Sequence, residues 1–107
     1  MKGRVELLLA LAAALLPNAP AAAAPRTYAV VIDKLKFGAV PVSLRVGDSI
    51  LWTNRDIFRH SATAADHSFD VDLPPGAKAT TLLRKAGTIP FVCKYHPAMR
   101  GVLHVGK

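Results

Sequence analysis

Short segments rich in β-branched and aromatic residues, separated by glycine and proline turns, most constrain the fold of this chain. From residue 28 onward they read YAVVIDKLKF, VPVSLRV, VGDSILW, SFDVDL, KATTLLR, IPFVC and GVLHV. Apolar and polar residues alternate along several of them, as in half-buried strands, and the turns PPGA and KAGT separate others. Regularly spaced short strands predict an all-β sandwich or barrel.

Three segments give specific expectations. Residues 28–37 are predicted to form strand throughout, and in VPVSLRV the alternation predicts that Val42, Leu44 and Val46 share one face. The segment NRDIFRHSATAADH, residues 54–67, is the least regular and is predicted to loop between strands. Loops are where sites are usually built on a β scaffold.

The first 24 residues have the order of a secretory signal peptide. MKGR is a short basic start, VELLLALAAALL is an apolar run, and PNAPAAAAP supplies helix breakers and small residues. Although Glu6 interrupts the apolar run, the run is too short to span a bilayer comfortably. We expect cleavage within residues 21–24 and export, into the periplasm if the source is bacterial, with no stable membrane insertion afterwards. Residues 25–107 then form one small domain.

The chain is basic, with 14 Lys and Arg against 7 Asp and Glu and a formal net charge of +7. A basic domain first suggests nucleic acid. However, the cations are scattered, and an exported chain rarely meets nucleic acid, so no such partner is expected. The charge instead favours acidic protein partners or anionic surfaces.

The single cysteine lies in the stretch FVCKYHPAMRG, residues 91–101. Alone in an oxidising compartment, Cys93 cannot form a disulfide within the chain and is a liability unless it is occupied. His96 and Met99 follow at intervals of three residues, so a turn can bring thiolate, imidazole and thioether together. A thiolate, two imidazoles and a weak axial methionine are the ligands of blue-copper electron-transfer sites. The pattern predicts copper bound by these three residues and a second histidine.

Three histidines are candidates for the remaining ligand. His60 and His67 lie in the irregular segment, where a strand end can approach the Cys93 loop. His104 lies in the last predicted strand, which carries it away from that loop. Spacing alone leaves His60 and His67 open.

The ligand stretch CKYHPAMRG resembles the metal-binding loop of the cupredoxins, in particular the group of amicyanins, plastocyanins and pseudoazurins. The resemblance continues in VGDSILWTN, followed by RH, and in AGTIPFVC, and it covers about residues 32–105. It implies a single Greek-key β-sandwich that binds one Cu(I)/Cu(II) ion. It also implies His60 as the remaining ligand, because the first histidine ligand of that family follows the VGD…W.N strand.

Two residues beside the ligands depart from the family pattern. Ser61 stands where the family commonly has an asparagine that ties the two ligand loops together, so we expect a weaker tie, with the Ser61 N–H still able to reach the Cys93 sulfur. Tyr95 stands where the amicyanin-like pattern has a proline before the histidine. It restores an N–H, which we expect to donate to the thiolate and to raise the reduction potential.

The resemblance implies an electron carrier, not an enzyme, with the edge of His96 as the electron port. Pro97 and Ala98 are expected to lie beside this edge in an apolar patch. Arg59, Lys94 and Arg100 flank the ligands and are expected to form a basic rim, and the docking candidates are Arg59, Lys94, Pro97 and Arg100. The expected partner is an acidic redox protein, such as a c-type cytochrome, an oxidase or a dehydrogenase. The protein is expected to be a monomer.

Three other readings of the donor set are possible. A periplasmic copper carrier or buffer would use the same ligands, but Met-rich or His-rich tracts that favour it are lacking, since the chain has only 2 Met and 4 His. A small multicopper oxidase would need further histidine clusters, and no His-x-His pair occurs. Zinc also binds thiolate and imidazole, but methionine is a poor zinc ligand and copper binds more tightly. Copper carriage is therefore the main alternative to electron transfer.

Overall fold

The computed structural model describes residues 23–107, which form two packed β-sheets. The strands are β1 (Thr27–Asp33), β2 (Lys36–Phe37), β3 (Leu44–Arg45), β4 (Ser49–Asn54), β5 (His60–Ala64), β6 (Asp70–Leu73), β7 (Lys78–Leu82), β8 (Gly87–Val92) and β9 (Arg100–Gly106). One sheet has the order β2-β1-β4-β7 and the other β3-β9-β8-β5-β6. Pairs β1–β4 and β3–β9 are parallel, and the other pairs are antiparallel. The predicted all-β sandwich is confirmed.

The described residues include no helix with the length and hydropathy needed to cross a membrane. The predicted signal peptide, residues 1–24, lies outside the described residues except for its last two positions.

An aromatic cluster occupies the centre of the sandwich. The Trp52 ring lies 5.2 Å from Phe91, 5.9 Å from Phe69 and 6.0 Å from Phe37 between ring centroids. Its Nε1–H donates to the Thr81 hydroxyl at 2.9 Å, so the buried indole keeps a hydrogen-bond partner. The buried apolar residues are Val30, Ile32, Leu44, Ile50, Trp52, Ala62, Ala64, Phe69, Leu73, Leu83, Ile89, Phe91, Cys93, Met99, Leu103 and Val105.

A tight turn divides the predicted strand 28–37 into β1 and β2. Lys34 and Leu35 have φ angles of 50° and 58°, a left-handed conformation that is uncommon outside glycine and asparagine. The Asp33 carboxylate accepts the Lys34 N–H, and the Asp56 carboxylate accepts the Leu35 N–H. The prediction of an unbroken strand was wrong because neither turn residue is one that signals a hairpin.

The expectation that Val42, Leu44 and Val46 share one face was also wrong. Leu44 is only 2% exposed, whereas Val42 is 91% exposed and Val46 is 43% exposed. The strand here is only β3, which pairs with the end of β9. The chain bends before β3 and turns after it, so the flanking valines leave the core.

Residues 60–64 form β5, so the prediction of a loop across 54–67 was wrong for its middle. This strand lies between β6 and β8, and its first three residues are all buried. Burial on both faces removes the alternation by which a strand is recognised. Thr63 of β5 pairs with Val92, the last residue of β8, so β5 continues past the end of β8 and flanks the following loop.

Candidate metal centre

Three side chains that can bind a metal converge at one end of the sandwich. His60 is the first residue of β5, whereas Cys93 and His96 lie in the loop of residues 93–99 between β8 and β9. Cys93 Sγ lies 3.6 Å from His60 Nδ1 and 3.7 Å from His96 Nδ1. The three donor atoms all lie within 4.8 Å of one another. His60 and Cys93 are fully buried, and His96 is partly exposed.

These separations fit a metal ion in the plane of the three donors. With the bond lengths of zinc, about 2.3 Å to sulfur and about 2.0 Å to nitrogen, a sulfur and a nitrogen about 120° apart stand about 3.7 Å from each other. The two observed N–S distances match this value. One thiolate and two imidazoles are the in-plane ligands of a type 1 copper site, which has a weak axial bond to methionine. The donor set therefore fits copper.

Backbone hydrogen bonds close the ligand loop and bring its last residue back to its first. The Cys93 N–H donates to the Met99 carbonyl at 3.0 Å. Between them, the His96 N–H donates to the Cys93 carbonyl at 3.3 Å, and the Met99 N–H donates to the His96 carbonyl at 2.8 Å. Met99 is itself buried, and its backbone contacts that of the cysteine. Thioether, thiolate and imidazole therefore belong to one closed loop.

Ser61 connects β5 to the ligand loop. Its N–H donates to Cys93 Sγ at 3.4 Å, which confirms that this amide can reach the sulfur. Its hydroxyl accepts the Lys94 N–H at 2.8 Å. The loop tie that was expected to weaken without an asparagine is thus made by the serine hydroxyl.

Tyr95 makes its polar contact through its hydroxyl group. The expected donation from its N–H to the Cys93 sulfur is not among the hydrogen bonds of residues 23–107. The hydroxyl donates to Asp72 at 3.1 Å, and the Arg59 guanidinium lies 5.1 Å from the ring centroid. Tyr95 is therefore tied to β6 at the edge of the site.

Asp56 holds the outer nitrogen of His60. Its Oδ2 lies 2.9 Å from His60 Nε2 and also accepts the Leu35 N–H at 2.8 Å. A proton on Nε2 leaves Nδ1 free to bind a metal, and such carboxylate partners orient ligand histidines. The hydrogen bond with His60, followed by the one with Leu35, lowers the pKa of Asp56. Asp56 was not predicted from the sequence, although a carboxylate four residues before a ligand histidine was an available signal.

His67 and His104 lie outside the site. His67 is exposed in the turn between β5 and β6, with a φ of 64°. His104 lies on β9 with its Nδ1 3.3 Å from the Thr88 hydroxyl. In the part of the chain that the structure describes, the metal-binding group of histidine and cysteine contains His60, Cys93 and His96.

The rim around His96 is largely apolar. The Phe58 ring lies 6.0 Å from the His96 ring between centroids. Ile57 is 81% exposed, Phe58 is 44% exposed, and Pro97 and Ala98 are exposed as well. The partly exposed His96 therefore lies beside an apolar surface.

Two of the three cations expected on a basic rim are paired within the molecule. Arg59 Nη2 lies 2.6 Å from Asp72 Oδ2. Lys94 Nζ lies 3.1 Å from Asp70 Oδ2. The hydrogen bond that Lys94 donates to Asp70 raises the pKa of Lys94. Arg100 has no ion-pair partner in residues 23–107. The rim is less basic than the sequence suggests.

Similar proteins share this fold and show the family of the chain. A family model described as a cupredoxin-like domain matches residues 6–105. Amicyanin from Paracoccus denitrificans is 30% identical in an alignment 95 residues long, which covers 79% of this chain and 70% of amicyanin. A reduced amicyanin variant has a TM-score of 0.65 at 25% identity, covering 74% of this chain and 81% of that one. A purple cupredoxin from Nitrosopumilus maritimus has a TM-score of 0.63 at 21% identity, covering 74% and 99%, which shows the shared fold.

The family match includes the loop of residues 93–99 and the start of β5. It therefore covers all four donors of the predicted set. The chain belongs to the cupredoxin family, and His60, Cys93, His96 and Met99 form a type 1 copper site.

Proposed function

We propose that this protein is an exported, monomeric carrier of single electrons between redox partners, and not an enzyme. When bound, copper supplies a one-electron couple between Cu(I) and Cu(II). His60, Cys93 and His96 would hold the ion through one sulfur and two nitrogens, and Met99 would add a weaker bond from its thioether. The proposal rests mainly on three donor atoms that lie within 4.8 Å of one another. Two of the three residues are buried, and His96 is partly exposed.

Both ligand segments are held by contacts that do not depend on a metal. Asp56 orients His60, and backbone hydrogen bonds close residues 93–99. Side chains held in this way move little between oxidation states. Small rearrangement favours fast electron exchange, whereas delivery of copper to another protein requires the ligands to release it.

We infer that electrons enter and leave through the exposed edge of His96. The apolar rim of Ile57, Phe58 and Pro97 is the surface on which a redox partner docks. Since Arg59 and Lys94 are paired within the molecule, long-range steering of an acidic partner relies on Arg100 and the excess of Lys and Arg over Asp and Glu.

We further propose that residues 1–24 are a cleaved leader and that residues 25–107 are the mature domain, in the periplasm if the source is bacterial. The basic start, apolar run and small residues support this assignment. The lone cysteine is buried at the copper site, where bound metal protects it from oxidation.

Electron transfer and copper carriage predict different behaviour in a mixture of Cu(I) and Cu(II) protein. NMR line broadening gives the rate of electron self-exchange, and competition with a chelator gives the rate of copper loss. High ionic strength screens repulsion between the two basic molecules. We expect self-exchange that broadens the ligand resonances and slow copper loss.

A matched pair of variants locates the electron port. Ala98→Glu places a charge on the apolar rim, and Ala65→Glu places the same charge at the exposed turn after β5. Only the first is expected to slow self-exchange. If self-exchange is undetectable in the unmodified protein while the chelator removes copper rapidly, copper carriage replaces electron transfer as the function.

A further inference from the structure

Strand β6 supplies no copper ligand. Its two exposed carboxylates nevertheless contact residues that directly precede or follow His60, Cys93 and His96 in the sequence. Asp70 and Asp72 lie on this edge strand of the second sheet. Asp70 accepts a hydrogen bond from Lys94, and Asp72 accepts from Arg59 and Tyr95. Lys94 follows the ligand cysteine, and each of the other two residues directly precedes a ligand histidine.

Asp72 joins the two histidine segments. It accepts the Nε–H and Nη2–H of Arg59 at 3.0 Å and 2.6 Å and the Tyr95 hydroxyl at 3.1 Å. The Arg59 guanidinium also lies over the Tyr95 ring. Bidentate pairing and cation–π stacking both restrict side-chain movement. Because Arg59 precedes His60 and Tyr95 precedes His96, one carboxylate restrains both ligand segments.

Asp70 reaches Lys94 by two routes. The first is the direct ion pair, with Lys94 Nζ at 3.1 Å. The second runs from the Lys94 N–H to the Ser61 hydroxyl at 2.8 Å, on to the Thr63 hydroxyl at 2.9 Å, and then to Asp70 Oδ1 at 2.8 Å. Asp70 thereby holds both the side chain and the backbone of the residue that follows Cys93.

The second route has a defined direction. Thr63 has one hydroxyl proton, and it goes to the Asp70 carboxylate, which can only accept when ionised. Ser61 must therefore donate its own proton to Thr63 and keep its lone pairs for the Lys94 N–H. The hydrogen bonds from Thr63 and then Lys94 lower the pKa of Asp70, so the carboxylate stays ionised.

We propose that Asp70 and Asp72 are positioning residues of the copper site, which hold the ligand loop against β5 and slow the loss of copper. This inference rests on the proposed copper site and adds to it the element that keeps the loop closed. A single exposed ion pair contributes little to stability. Here a bidentate pair, a stacked ring and a chain of hydroxyl groups act on the same loop, so their effects reinforce one another.

The test compares the double variant Asp70→Asn, Asp72→Asn with Asp66→Asn. Asp66 forms an ion pair with Lys85 at 2.9 Å in the turn of the same hairpin, away from the ligands. Amide hydrogen exchange of the ligand loop is measured in metal-free protein, and copper release to a chelator is measured in the loaded protein. We expect both rates to rise about fivefold in the double variant and to stay unchanged in the control.

A further variant isolates the hydroxyl chain. Thr63→Val keeps both ion pairs and the side-chain shape but removes the link between Ser61 and Asp70. We expect faster exchange at the Lys94 amide, with the Asp72 contacts unaffected.

Two outcomes would overturn the positioning role. One is loop exchange and copper release in the double variant equal to those of the unmodified protein. The other is a lower melting temperature with unchanged loop exchange, which would assign the two carboxylates to general stability. If the loaded protein shows no blue absorption but loop exchange still rises in the metal-free double variant, the copper proposal fails and the restraint of the loop stands.

Discussion

The two histidines of the copper site differ in almost every physical respect. His60 is fully buried in a strand, and its outer nitrogen contacts Asp56 at 2.9 Å. His96 lies in a loop and is partly exposed, with the Phe58 ring beside it. Both nevertheless direct Nδ1 toward the same sulfur at nearly equal distances.

This difference shows how one site can be both rigid and accessible. The strand histidine is restrained, because its backbone pairs within the sheet and its buried ring contacts Asp56. The loop histidine provides the contact with the exterior. Electron transfer needs both properties, and the cupredoxin fold assigns them to two separate segments.

Replacement of each histidine by glycine tests the difference between them and is expected to have the largest effect of these variants. Both His60→Gly and His96→Gly should lose the blue absorption, because each removes an in-plane ligand. Added imidazole at millimolar concentration should restore the band in His96→Gly, where the vacated position opens to solvent. It should not do so in His60→Gly, and equal recovery in both would contradict the asymmetry. The measurement is a visible absorption titration with imidazole.

Removal of the Asp56 carboxylate tests the support of His60 alone. Asp56→Ala leaves the Nε2–H of His60 and the Leu35 N–H without their acceptor. The free energy of unfolding should fall by about 1–3 kcal/mol, and copper affinity should fall by about 10- to 100-fold. Chemical denaturation and copper titration measure these changes.

Asp33→Ala is the matched control, because it removes the other carboxylate of the same turn without touching His60. It should leave copper affinity unchanged. The same loss of affinity in both variants would show that the turn, and not the contact with His60, is what matters.

Truncation of Phe58 tests the exposed side of the comparison. Phe58→Ala removes the ring beside His96, so the absorption spectrum should persist while electron self-exchange slows by about tenfold, equivalent to about 1.4 kcal/mol of lost docking energy. Val42→Ala, at an exposed valine outside the rim, is the control and should exchange electrons normally. Unchanged exchange in Phe58→Ala would remove this ring from the docking surface.

The smallest effect is expected for the hydrogen bond between the Ser61 hydroxyl and the Lys94 N–H, which connects β5 to the ligand loop. Ser61→Ala loses the hydroxyl but keeps the N–H that donates to the Cys93 sulfur. The protein should stay blue, and the free energy of unfolding should fall by about 0.5–1.5 kcal/mol. Ser61→Asn, with the residue that the family commonly uses, should recover part of this loss. Denaturation midpoints measure these changes in stability. Ser43→Ala, at an exposed serine outside the site, is the control.

Much of the sandwich could be predicted because its strands and turns are encoded locally. The Gly47-Asp48 turn precedes the buried Ile50 and Trp52 as expected, and PPGA separates β6 from β7. β5 was missed since a strand buried on both faces and built from small residues shows no alternation. The Lys34-Leu35 turn was missed because neither residue favours a left-handed backbone, and the Asp56 carboxylate that accepts the Leu35 N–H is distant in sequence.

In the copper site as well, local features could be predicted from the sequence, whereas features that depend on strand pairing could not. The spacing of Cys93, His96 and Met99 predicts donors within one loop, because residues so close in sequence can converge through a turn. The choice of His60 over His67 depended on family resemblance. The position of His60 beside the ligand loop is fixed by the pairing of β5 with β8, which residue spacing does not specify. The partners of Arg59 and Lys94 lie across the sheet on β6, and local sequence does not specify that register.

The most direct measurement is the visible and EPR spectrum of residues 25–107 with one equivalent of Cu(II), repeated on His60→Ala. An intense blue thiolate-to-copper band with narrow hyperfine splitting, altered or lost in the variant, is the predicted result. A colourless complex, or a spectrum that is the same in both proteins, would contradict a copper site built from His60, Cys93, His96 and Met99.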